Sequence, residues 1–150
     1  HDFWAKVSLH EESATVPLLV AVPGKRPAVC NSLVEMLDLY PTTAALCGLE
    51  TQPRLQGRNI AALLDDPTAK VHDAAFSVNG KGFLLREDRW AYIQYGEDAR
   101  GGAELFDMQA DPRQYVNLVD RPEQAERVAE FRQKTAAKLA AVRTNDLGLE

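Results

Sequence analysis

Two imidazoles, an ammonium, a hydroxyl and three carboxylates fall close together in His1-Asp2-Phe3-Trp4-Ala5-Lys6-Val7-Ser8-Leu9-His10-Glu11-Glu12. Such a set could serve an anionic substrate if the rest of a pocket were supplied, because a lysine ammonium is a compact charge with three N–H donors. On residue types alone a solvated terminus accounts for it better, since charged side chains are exposed by default. No other stretch of the chain gathers comparable chemistry.

The elements around this stretch follow from pattern. Val16 to Val22 is a short continuous apolar run between Pro17 and the Pro23-Gly24 stop, the look of a strand buried on both faces of a parallel sheet. Such a strand needs neighbours and covering helices, and the residues before it cannot provide them. Ser32-Leu33-Val34-Glu35 fits a capping box, with Leu33, Met36, Leu37 and Tyr40 at helical spacing after it. Pro41 predicts a break at Tyr40 and a fresh helical start, which Gly48 then ends as a left-handed cap. Three runs rich in β-formers follow, Ala74 to Val78, Gly82 to Arg86 and Trp90 to Tyr95, with the hairpin signal Asn79-Gly80 between the first two. A fourth, Glu104 to Met108, lies between Gly101-Gly102 and Asp111-Pro112. Four antiparallel strands in meander order are the economical arrangement. Trp90 to Tyr95 should be covered on one side and wetter on the other. From Pro122 to Val142 runs a charged helix with an apolar stripe at Val128, Phe131, Leu139 and Val142, completed by Thr135 and expected to lie across one face of the sheet.

Bulk properties narrow the class. The chain has 150 residues, 45% hydrophobic and 26% charged, an ordinary globular composition sized for one core. A net charge of −5 and a pI near 5.2 argue against nucleic acid as a partner. No apolar run reaches the roughly 18 residues that span a membrane, and no secretory leader is read in the chain. Cys30 and Cys47 lack metal-ligand spacing and are expected to be free, buried thiols.

Trp4, Lys6, Ser8, Leu9, Glu11 and Ser13, then Val16-Pro17-Leu18, Leu37-Asp38-Leu39-Tyr40-Pro41-Thr42, Leu55-Gln56-Gly57, Arg89-Trp90-Ala91-Tyr92-Ile93, Glu104-Leu105-Phe106-Asp107, Asp111-Pro112 and Asn117-Leu118 occur in an order that resembles the C-terminal part of the type I sulfatases. Within that family it is most similar to the iduronate-2-sulfatase and choline-sulfatase-like branch. The resemblance implies an α/β fold of the alkaline-phosphatase-like superfamily. Residues 1–66 would be the incomplete end of the catalytic domain, with Val16 to Val22 in its large mixed sheet. Residues 67–150 would be a small subdomain of four antiparallel strands packed by the C-terminal helix, with an unpaired sheet edge open to self-association.

The same resemblance implies the chemistry. The parent would hydrolyse sulfate esters of small molecules or glycans with a formylglycine nucleophile and a calcium ion. Neither Cys30 nor Cys47 sits in the family's Cys/Ser-x-Pro/Ala-x-Arg motif, and the calcium ligands would lie outside this chain. Lys6 corresponds to a lysine that faces the sulfate, where a cation stabilises charge developing on sulfate and leaving-group oxygens. His1 corresponds to a histidine close to the pocket, with a less uniform role. Glu11 reads as a brace for the loop and Trp4 as packing beneath Lys6, while Arg89 and Trp90 read as a turn arginine and a core tryptophan. The chain by itself is expected to be inactive. A periplasmic, secreted or lysosomal setting is what the family suggests. Two other readings stand beside this one: a segment of a related phosphodiesterase or phosphonate monoester hydrolase, and a stand-alone module binding an anionic glycan through its small sheet, against which the acidic charge counts.

Overall fold

A computed structural model of the protein describes residues 7–144. Strands β1 (Ala74–Asn79), β2 (Gly82–Glu87), β3 (Trp90–Tyr95) and β4 (Ala103–Asp107) form one antiparallel sheet in the order β1-β2-β3-β4, the expected meander. The Asn-Gly signal acts one position later than its usual form: Asn79 closes β1 opposite Gly82, and Gly80-Lys81 make the turn. Cross-strand pairing sorts the side chains onto two faces. Leu85, Tyr92 and Leu105 line up on one, Leu84 with Ile93 and Ala91 with Phe106 on the other.

Both faces are covered, which corrects the expectation of a wetter side. Helix α3 (Ala125–Arg143), entered through a 3-10 turn at Pro122–Gln124, lays Val128 and Phe131 on the first face against Leu85, Trp90, Tyr92 and Leu105. Its buried positions also include Thr135 and Leu139, so the predicted stripe holds, with Val142 only half-buried at its end. The second face is closed by the opening stretch. Leu9 is buried with Leu84, Ala91, Ile93, Phe106 and Met108, and Ala14 of the short helix α1 (Glu11–Ala14) packs beside them. Burying a leucine side chain of this kind contributes roughly 1.5–3 kcal/mol. Tyr92 and Ile93, on opposite faces of β3, are each 0% exposed as a result.

Residues 7–17 with 74–144 form one compact unit, and residues 18–73 form the other. In the second unit a 3-10 turn at Met36–Asp38 runs directly into helix α2 (Leu39–Leu46). There is no break at Tyr40, which is itself helical, but the expected helical start with Pro41 in its first turn holds, since a missing N–H there has no helical partner to lose. The capping box also lies three residues later than the sequence suggested. Glu35 is the cap, and its N–H donates to Asp38 Oδ2 at 2.8 Å. The helix ends as expected: Gly48 takes φ +69°, Leu49 N–H donates to Ala44 O at 2.9 Å, and Gly48 N–H donates to Ala45 O at 3.0 Å.

Two other expectations fail here. Cys30 and Cys47 are free, as predicted, but exposed. Val16 to Val22 forms no strand, and Leu19 is 90% exposed. A strand is held by ladder hydrogen bonds to a neighbour, and no strand pairs with this run among the described residues.

Asp38 organises the second unit. It is 0% exposed, and its carboxylate accepts Glu35 N–H, Arg58 N–H at 2.7 Å and His72 Nε2 at 2.8 Å. Thr42 Oγ1 donates to Asp38 O at 2.6 Å and accepts Ile60 N–H at 3.0 Å. The loop carrying Arg58 approaches so closely that a Cβ on Gly57 would lie 2.0 Å from Leu37 O. Gly57→Ala therefore forces the main chain apart at the Asp38 contacts. It is expected to destabilise the unit by about 1–3 kcal/mol, read as a lowered denaturation midpoint; an unchanged midpoint would refute the close approach.

Candidate functional site

The described part of the opening stretch is pinned to the sheet along its length. Asn79 Nδ2 donates to Val7 O at 2.6 Å. Ser8 Oγ and Ser13 Oγ hydrogen-bond at 2.9 Å, closing the turn that precedes α1. His10, buried, places Nε2 2.9 Å from Glu104 Oε2 and its ring edge-on to Phe106 at 5.8 Å between centroids. Glu104 Oε1 accepts the Tyr95 hydroxyl at 2.9 Å, so one carboxylate on β4 joins the opening stretch to β3. Glu11 is held twice: its N–H donates to Gln114 Oε1 at 2.6 Å, and its Oε2 accepts Arg86 Nε at 3.2 Å. The sequence reading of Glu11 as a brace agrees with this geometry.

Lys6, His1 and Trp4 lie outside the described residues. Arg89 and Trp90 have the structural roles expected of them. Arg89 forms a two-pronged pair with Asp107, its Nη2 2.7 Å and its Nε 3.1 Å from Oδ2, and the guanidinium holds that carboxyl below the usual carboxylate range. Arg89 and Arg127 both stand over the Trp90 ring, their guanidinium carbons 5.1 and 4.1 Å from its centroid. Asn117 takes the place of a neighbouring strand at the edge of β4, its Oδ1 accepting Leu105 N–H at 3.0 Å. Among the described residues no three His, Cys, Asp or Glu side chains converge in a way that could hold a metal ion. They do not fit a calcium site, and no step below is routed through one. No helix among the described residues is long and apolar enough to cross a membrane.

Gln114 is the residue that sequence reasoning missed. The turn it occupies is announced by Asp111-Pro112, but nothing in a glutamine signals its left-handed φ of +57°. His10 and Glu104 are visible only as isolated polar residues until the fold brings them together.

The sequence family described as "N-sulphoglucosamine sulphohydrolase, C-terminal" matches residues 1–142. The chain belongs to this sulfatase family. Arylsulfatase K of Mus musculus is 30% identical over 132 residues, a match covering 79% of this chain and 24% of that protein. The choline-sulfatase of Rhizobium meliloti (strain 1021) is 32% identical over 127 residues, covering 79% of this chain and 24% of that protein. Among solved structures, a 2-O GAG sulfatase superposes with a TM-score of 0.61 at 25% identity, covering 75% of this chain and 26% of that one. The sulfatase-family chain thus spans about a quarter of the length of the curated relatives it matches. Its sheet and long C-terminal helix correspond to part of the alkaline-phosphatase-like sulfatase structures.

The Glu104 junction has a measurable signature. Burial first, and then the hydrogen bond to Glu104, push the Tyr95 hydroxyl up from its ordinary 10.0 to about 12. The folded state holds this proton more tightly than the unfolded chain does. Its contribution to stability is therefore complete below pH 10 and is lost as pH rises through about 12. An ultraviolet titration of the chain's four tyrosines should show late ionisation by Tyr92, also pushed up by burial, and by Tyr95, and Tyr95→Phe should remove the contribution near 12 while leaving that of Tyr92. Persistence of the contribution near 12 in Tyr95→Phe would assign it elsewhere.

Proposed function

We propose that this chain is the C-terminal segment of a sulfuric ester hydrolase of the iduronate-2-sulfatase and choline-sulfatase-like branch, and that it supplies Lys6 to the sulfate, with His1 beside the substrate. Residues 1–66 close the catalytic α/β domain in this reading, and residues 67–150 are its small subdomain. The observation that carries it is the family match over residues 1–142, which includes the stretch with Lys6. The choline-sulfatase relative supports the branch.

Hydrolysis breaks an S–O bond, and negative charge grows on the sulfate and leaving-group oxygens as it does so. An ammonium with three donors against those oxygens stabilises that charge, an effect that is large where water is scarce. The nucleophile and calcium that such enzymes use belong to a region outside this chain, and calcium would there supply charge to hold the sulfate. Residues 7–14 contribute by fixing the main chain that continues from Lys6 onto the sheet.

With 4-nitrophenyl sulfate as substrate, Lys6→Ala in the full-length enzyme should lower kcat by about 10²- to 10³-fold, the loss typical of one stabilising donor. The chain alone should give no turnover. Turnover by the chain after rigorous removal of host enzymes, or a Lys6→Ala enzyme as fast as its parent, would overturn the assignment. A higher rate on the matching phosphate ester would move the parent to the phosphodiesterase side of the superfamily.

A further inference from the structure

Asn79 combines two properties that work against each other. Its side chain is a hold on the opening stretch, Nδ2 donating to Val7 O at 2.6 Å within the sheet unit. Its sequence neighbour is glycine, and of the five asparagines in residues 1–150 it is the one so placed. An asparagine amide is thermally labile, because the main-chain nitrogen of the following residue can attack the side-chain carbonyl carbon. A side chain on that following residue impedes the approach, and glycine has none.

The hairpin turn leaves the attacking nitrogen open. Gly80 takes φ +58° while Lys81 does not share a positive φ, the type II′ form in which glycine holds the first central position. Asn79 and Gly80 are both exposed, and a Cβ built on Gly80 would meet nothing within 4 Å. Gly80 N–H donates to no acceptor among the described residues, so no hydrogen bond has to break before its nitrogen can react. What restrains the reaction is the Val7 contact, since it holds the nitrogen that has to leave.

We propose that Asn79 is a self-modification site, and that its reaction releases Val7 from the β1–β2 hairpin. Gly80 N bonds to Asn79 Cγ as the Cγ–Nδ2 bond breaks, and the proton from Gly80 N leaves with that nitrogen as ammonia. Water then opens the cyclic imide at either carbonyl, giving aspartate or its β-linked isomer at position 79 with no change in oxidation state. Each product puts a carboxylate, which only accepts hydrogen bonds, where a donor faced Val7 O. The hold cannot re-form. His10 and Glu11 keep their own partners in Glu104, Gln114 and Arg86, so the release is confined to the start of the described stretch.

Full-length protein held in mildly alkaline buffer at physiological temperature and then digested with trypsin yields residues 71–81 as one peptide, in which Asn79 is the sole amide side chain. That peptide should gain the mass of an amide-to-acid conversion, divided between aspartate and isoaspartate forms, before the other four asparagines of this segment change. In Asn79→Asp, amide hydrogen exchange at Val7 and Ser8 should quicken by about two- to tenfold, the factor that one net hydrogen bond is worth. His10 and β3 should keep their parent rates. Asn79→Ala deletes the same donor without adding charge and should give the same quickening, which covers the case of an Asn79→Asp protein that fails to fold. A folded protein whose peptide stays unmodified over a period in which the urea-denatured protein converts at Asn79 overturns the modification site. Parent exchange rates at Val7 and Ser8 in the folded variants overturn the release.

Discussion

The sheet unit depends on one constraint: β3 is apolar on both faces. Leu85, Tyr92 and Leu105 on one side and Leu84, Ala91, Ile93 and Phe106 on the other leave a four-stranded meander with no face that can be left to water. One helix covers only one face. The other must be closed by chain from elsewhere, and Leu9 with α1 closes it. The burial that stabilises the small sheet is thus the same burial that orders the opening stretch, and the polar contacts at His10, Glu11 and Val7 set its register on that face.

The second unit is held by a different kind of interaction. Its α2 is short and exposes Tyr40 and Leu46, so helix packing contributes little. Asp38 instead gathers the N–H groups of Glu35 and Arg58 and the ring of His72 around one buried carboxylate. A carboxylate accepting several hydrogen bonds tolerates burial that an unpaired one would not. The Asp38 and Gly57 members of the two motif fragments, Leu37 to Thr42 and Leu55 to Gly57, meet in this arrangement: the first supplies the acceptor and the second supplies the absent side chain that lets the donors come near.

The sheet was legible in the sequence because its signals are local: β-rich runs, Asn-Gly, Gly-Gly, and a helical stripe that needs only its own spacing. The covering of the second face was not, since Leu9 is an ordinary leucine until the fold places it beside Ile93 and Phe106. The capping box misled by three residues because Ser32 and Glu35 satisfy the sequence pattern, whereas Glu35 and Asp38, which form the box, do not. Only Asp38 is also needed by Arg58 and His72, which decides between them. The thiols were expected to be buried on the general habits of cysteine, which a short helix with little cover does not enforce. Of the candidate site, Glu11 was readable as a brace, whereas Gln114 was not, because its importance lies in a backbone angle.

The route of the chain carries a consequence for how the protein is made. It leaves the sheet unit after Pro17 and returns to it at Ala74. Residues 7–17 must therefore wait, during synthesis, until the four strands have emerged before the face they cover exists. Closing so long a loop costs little more entropy than closing a shorter one, but it makes this docking a late event. Until then both Leu9 and the bare face of β3 are exposed to other chains. The interval between the appearance of residues 7–17 and their capture by the sheet is a window in which this face is open to association.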